Sequence, residues 1–113
     1  MVGLFAFPKE ERIRRRIDFL KILREGTKSR TAHFLLSFRP NSRAHRRLGI
    51  TIGKKVGPAV VRNRLKRRIR EFYRQNKKLF PPGTDSVITA KEGAGILDFR
   101  QVANELKAVL RER

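Results

Sequence analysis

Lys54-Lys55-Val56-Gly57-Pro58-Ala59-Val60-Val61-Arg62-Asn63-Arg64-Leu65-Lys66-Arg67-Arg68-Ile69-Arg70-Glu71 is the stretch on which the reading of this chain turns. It holds eight cations and one acid, yet its apolar residues keep helical spacing. Val61, Leu65 and Ile69, continued by Phe72 or Tyr73, recur on one face and suit packing against a sheet. Gly57-Pro58 opens the helix, because proline at a first helical position lacks only an N–H that would have gone unpaired. From Ala59 to about Lys78 the helix would run on the order of 30 Å, and Phe80-Pro81-Pro82-Gly83 ends it. Arg62, Arg64, Lys66, Arg67, Arg68, Arg70 and Arg74 project in the remaining directions. A polyanion is the natural partner of such a surface, and RNA is the one expected.

Working outward, Ile13, Ile17, Leu20 and Leu23 recur at spacings of four and three, which predicts one apolar stripe on a helix ending near Gly26. Phe19 and Ile22 lie beside that stripe. Arg12, Arg14, Arg15 and Arg16 crowd the positive end of the helix dipole, so the helix is expected to begin after them, with Asp18 in its first turn. Phe34, Leu36 and Phe38 alternate as in a strand, and Pro40 to Arg43 reads as a turn. Leu48, Ile50 and Ile52 predict a second strand, paired antiparallel with the first. Beyond the central helix, Asp85 to Ala90 is a short strand, and Phe99, Val102, Leu106 and Val109 or Leu110 define a last amphipathic helix. The order helix, strand, strand, helix, strand, helix is α+β, with helices laid on a small mixed sheet. Residues 1–11 read as a flexible N-terminal segment and 12–113 as a single domain.

Composition bounds what such a domain does. With 113 residues there is room for one core. The 39% hydrophobic and 35% charged residues fit a folded chain rather than a disordered tail. A formal charge of +19 exceeds what solubility requires and attracts anionic polymers. The chain has no cysteine, which excludes disulfides and thiolate zinc sites and suits a reducing cytosol. Met1 to Pro8 is apolar but too short to span a bilayer, so neither a signal peptide nor a membrane span is read, and a cytoplasmic location is expected.

Protein-borne catalysis has little support in these residues. His33 and His45 are the only histidines, they fall in different elements, and no Asp or Glu stands at ligand spacing from either. The carboxylates are scattered, and Gly53, Gly57, Gly93 and Gly95 follow no nucleotide-binding pattern. No catalytic residue and no protein metal site are predicted.

Taken together, Arg47-Leu48-Gly49-Ile50, Lys54-Lys55-Val56-Gly57, Ala59-Val60, Arg62-Asn63-Arg64, Lys66-Arg67 and Arg70-Glu71 resemble the hallmark segment of the bacterial ribonuclease P protein subunit. Arg12-Ile13, Asp18-Phe19, Gly26 and Asp85 extend the likeness in order over roughly residues 12 to 110. The resemblance implies a partner, a large catalytic RNA that uses bound Mg²⁺ to cut precursor tRNA at the mature 5′ end. It implies that the protein binds that RNA and the 5′ leader of the precursor, contributes no catalytic side chain, and contains a left-handed βαβ crossover. Phe19 stands where the family places a leader-contacting aromatic, whereas Leu23 and Ser37 stand where the family often has two more.

The expected RNA-binding set is therefore Lys54, Lys55, Arg62, Asn63, Arg64, Lys66, Arg67, Arg68 and Arg70. Arginine offers phosphate a planar donor fork and lysine a point charge. Phe19, Phe34 and Phe38 are expected to line a leader cleft as stacking platforms, and Arg12, Arg14, Arg15 and Arg16 to add an auxiliary basic region. Each has a plainer alternative: Lys54 and Lys55 as edge-strand charges, the three phenylalanines as core, Arg14 to Arg16 as a flexible arm. Two other functions share the charge and size: a structural rRNA binder of ribosomal type, and a nonspecific binder of DNA or membrane surfaces.

Overall fold

Alternation on two strands gives this chain two unequal apolar faces, and the helices divide between them. A computed structural model describes residues 7–111. In chain order the elements are α1 (Arg16–Glu25), β1 (Thr27–Arg30), β2 (Phe34–Pro40), β3 (Arg47–Ile52), α2 (Ala59–Gln75), β4 (Thr84–Ala90) and α3 (Phe99–Arg111). The sheet order is β1-β2-β4-β3, with β3 parallel to β4 and the other pairs antiparallel. The architecture is α+β on a mixed sheet, as the periodicities require.

Two expectations about the strands are corrected. The antiparallel pairing of β2 with β3 does not form, because β4 enters between them. Val87 and Ile88 point to opposite faces of β4 and both are fully buried, so β4 is the strand that belongs at the centre. β1 was not predicted: Thr27-Lys28-Ser29-Arg30 has no apolar residue to carry a period, and it serves as a polar edge strand.

On one face Phe34, Leu36, Phe38, Leu48 and Ile88 meet Leu65, Ile69, Phe72 and Tyr73 of α2 and Val102, Leu106 and Leu110 of α3. On the other, α1 covers Val87 with Ile22 and, in part, Phe19 and Leu23. The expected stripe on α1 is rotated from the observed one. Ile17 is 59% and Leu20 44% exposed, while Ile22 is buried. Ile13 set the wrong phase, since it lies before the helix and is buried in extended chain, its N–H bonded to the Leu48 carbonyl at 3.0 Å. α1 begins at Arg16, with Asp18 in its first turn and Gly26 at its C-cap, where a Cβ would meet the backbone oxygens of Ile22 and Phe38 at 2.5 and 2.8 Å.

Of the segment expected to be flexible, 1–11, residues 7–11 lie against the domain and residues 1–6 lie outside the described residues. The Phe7 ring meets Tyr73 edge-on at 5.2 Å, and Glu11 accepts a 2.8 Å bond from the Tyr73 hydroxyl while pairing with Lys77 at 2.9 Å. Burial, followed by the Glu11 carboxylate, pushes the Tyr73 phenol far above its usual range, so it remains a donor. Arg12 bridges to Leu48 on the outer edge of β3, which tethers this strap to the sheet.

The second seam is polar. Arg47 donates Nε to Asp85 Oδ1 at 2.8 Å and Nη2 to Oδ2 at 2.6 Å, Asn41 adds a 2.8 Å bond, and Asp18 of α1 lies 3.7 Å from Arg47. Burial alone would raise the Asp85 carboxyl, but the bonds from Arg47 and Asn41 outweigh it and hold the group below the usual carboxylate value. Glu105 of α3 is also lowered: the bonds from Thr31 and His33 outweigh the opposing effect of burial. A lowered carboxyl lends stability above its unfolded pKa and loses it as pH falls through the folded one, so the Asp85 and Glu105 joints weaken below about pH 4. Urea denaturation should show Arg47→Ala losing about 3–5 kcal/mol by stranding Asp85. In a pH series, Glu105→Gln should lose less stability between about pH 4 and pH 2 than the parent chain.

Candidate nucleic-acid interface

Around α2 the apolar side is closed and the rest is cationic. Leu65, Ile69, Phe72 and Tyr73 are buried, whereas Asn63, Arg64, Arg67 and Arg70 are exposed. The single acid of the helix, Glu71, is turned to its own neighbours, pairing with Arg74 at 2.6 Å and accepting from Gln75 at 2.8 Å. Among the described residues, Arg62, Arg64, Lys66, Arg67, Arg68 and Arg70 make no ion pair with a carboxylate. Two are braced by carbonyls instead: Arg62 Nε donates to Gly57 at 3.1 Å and Arg68 Nη1 to Leu97 at 2.6 Å. Cations held this way keep their charge available to an external anion.

Lys54 and Lys55 sit exposed in a short 3₁₀ turn between β3 and α2. Gly57 follows with φ 156°, a backbone setting that side chains rarely adopt, and it lets the chain swing from that turn directly into the helix. The helix N-terminus therefore lies beside both lysines, and its free N–H groups add to their positive potential.

The cations divide between two flanks. Lys66 and Arg70 share a groove of about 400 Å³ with Phe7, Arg14, Phe19 and Gly49. Arg64, Arg67 and Arg68 line the opposite flank, toward Phe99 of α3. Phe19 reaches its groove because residue 49 is glycine: a Cβ there would lie 2.5 Å from the ring's Cε1.

Phe34 and Phe38 are corrected. They lie on the α2/α3 face of the sheet, 0% and 3% exposed, and Phe19 lies on the other face. They are core residues and do not join Phe19 in a cleft. The alternation that placed them on one face is real, but alternation does not tell which face a helix closes. Arg12 also differs from an arm residue: its Nε and Nη2 donate to the Phe7 carbonyl at 3.1 and 2.8 Å, and its guanidinium stacks 4.9 Å over the Phe7 ring. Arg15 caps α1 with its carbonyl, and Arg16 is the first helical residue. Leu23 packs on the sheet-facing side of α1, and Ser37 is fully buried with its hydroxyl unpaired.

The model of the ribonuclease P family matches residues 7–113. The chain belongs to the ribonuclease P protein family. It is 52% identical over 102 residues to the ribonuclease P protein component of Citrifermentans bemidjiense, covering 90% of this chain and 87% of that protein. With the protein component of Dictyoglomus thermophilum it shares 44% identity over 108 residues, 93% of this chain and 89% of the relative. Among solved structures, the Thermotoga maritima RNase P protein superposes with a TM-score of 0.82 at 37% identity, covering 91% of this chain and 97% of that one. The Staphylococcus aureus RNase P protein gives 0.83 at 33% identity over 90% and 94% of the two chains. Membership makes this chain a subunit of a ribonuclease P complex, partnered by the ribonuclease P RNA. No helix among the described residues is long and apolar enough to cross a membrane.

Phe7, Lys9 and Gly49 are groove residues that sequence reasoning missed. The available signal was Phe7, an aromatic placed just before the cations rather than in a periodic element. Gly49→Ala should push the Phe19 ring off the sheet at a loss of about 1–3 kcal/mol in urea denaturation. Unmoved Phe19 ring resonances in that variant would contradict the packing.

Proposed function

We propose that this subunit grips the catalytic RNA of ribonuclease P along α2 and the Lys54-Lys55 turn, and holds the 5′ leader of precursor tRNA near Phe19. The observation that carries the reading is the acid-free arc of Arg62, Arg64, Lys66, Arg67, Arg68 and Arg70, adjoining a groove with an aromatic wall. Phosphates bind the arc by charge and by the arginine fork, and an unpaired base stacks on the ring. In this reading Phe19 alone of the three candidate phenylalanines supplies stacking, with Arg14 supplying charge beside it. Bond cleavage belongs to the RNA.

Among the described residues, no three His, Asp or Glu side chains gather to form an all-protein metal cage. Asp85, Glu105 and Glu11 are each engaged by protein donors. In this reading the RNA holds the reaction's Mg²⁺, and the compartment is the cytoplasm.

The test is reconstitution with the cognate RNA and precursor tRNA. Added protein should lower the Mg²⁺ needed for 5′ cleavage and favour leader-bearing precursor over mature tRNA. Unchanged cleavage and no leader preference would end this reading. Arg67→Ala should flatten the slope of log affinity against log salt by about 0.7 to 0.9 for one lost phosphate contact. The same slope in a folded variant would remove Arg67 from the interface.

A further inference from the structure

We infer that a groove between the first turn of α2 and the β4–α3 loop is a pocket for an unpaired nucleobase of a bound RNA. The inference rests on the RNA-binding reading above and deepens it. Gly93-Ala94-Gly95-Ile96 folds over the start of α2 in a short 3₁₀ turn. The approach is closer than a side chain permits: a Cβ on Gly95 would lie 2.6 Å from Val61 Cγ1 and 3.0 Å from the Val56 carbonyl. Loop and helix border an open groove of about 400 Å³, within the range of small-ligand sites.

The chemistry of its walls selects the occupant. Val56, Pro58 and Val61 form an apolar floor, and Ile96, 85% exposed, stands at the side. Ile96 thus offers an accessible aliphatic surface to whatever enters the groove. Arg64 and Arg68 form the rim, and Lys54 and Lys55 stand on the adjoining turn. Arg68 is fixed by its bond to the Leu97 carbonyl, which holds its guanidinium in place as a stacking plane. Arg64 is exposed and has no ion-pair partner among the described residues. Asp98, the one acid at the groove, is occupied at the α3 N-terminus, where it accepts from the Gln101 N–H at 2.8 Å while Gln101 accepts from its own at 2.9 Å.

An apolar slot bordered by two arginines and one capped carboxylate, with net positive charge, fits a flat base whose flanking phosphates remain outside. An aliphatic protein segment would fill the floor but leave the cations unmatched, and duplex nucleic acid would match the cations but keep its bases stacked away from the floor.

The chain contains no tryptophan, so Ile96→Trp places a single fluorophore on the wall. Its emission should be quenched by a short oligoadenylate and unaffected by an abasic strand with the same number of phosphates. The parent chain should prefer oligoadenylate over the abasic strand by about tenfold, as expected for one stacked base. Ile96→Ser should reduce that preference without changing abasic affinity, the part carried by Phe19 remaining. Equal affinity of the parent for both strands, or an Ile96→Ser variant with an undiminished preference, would overturn the pocket while leaving the RNA reading standing. An Ile96→Trp signal indifferent to the base would do the same. Arg64→Ala should weaken both strands alike, and a parent chain that binds neither strand would sink the RNA reading and the pocket together.

Discussion

Self-repulsion among 29 cations matched by only 10 acids is the constraint under which this fold stands. Among the described residues, four of the acids stand where elements are joined. Asp85 and Asp18 gather on Arg47 between α1 and the sheet, Glu105 ties α3 to the turn before β2, and Glu11 ties the N-terminal strap to α2. Each joint partly excludes water, so its attraction is less screened than that of surface pairs. What remains on α2 is positive charge without internal compensation, held in place by the apolar contacts of Leu65, Ile69, Phe72 and Tyr73.

Function follows from that distribution. A helix whose cations are not satisfied internally presents a steady field to phosphates, and its buried side keeps that field from relaxing into disorder. The two flanks differ in what accompanies the charge: an aromatic wall at Phe19 and an aliphatic slot at Ile96. Charge alone would bind any polyanion. Apolar walls next to the charge favour strands whose bases are unpaired.

Both walls depend on glycines that admit close approach. Gly49 makes room for the Phe19 ring on the sheet, and Gly95 lets the β4–α3 loop touch Val61. Each glycine borders its groove and also sets the position of a side chain in it. Substitution at either position acts through a neighbour, and its effects on binding should be separable from those of losing a cation.

Much of this protein was legible in its order of residues. The acid-poor helix, its apolar side, the strand alternations of β2, β3 and β4, and the hallmark run around Arg62-Asn63-Arg64 are local features, and local periodicity reports them directly. Tertiary structure alone decided the rest. It put β4 between β2 and β3, made Thr27–Arg30 a strand through its neighbour's hydrogen bonds, turned α1 so that Ile22 rather than Ile17 is buried, and sent Phe34 and Phe38 to the face opposite Phe19. The physical reason is that a period tells which residues share a side, whereas which side is covered depends on packing between segments far apart in the chain.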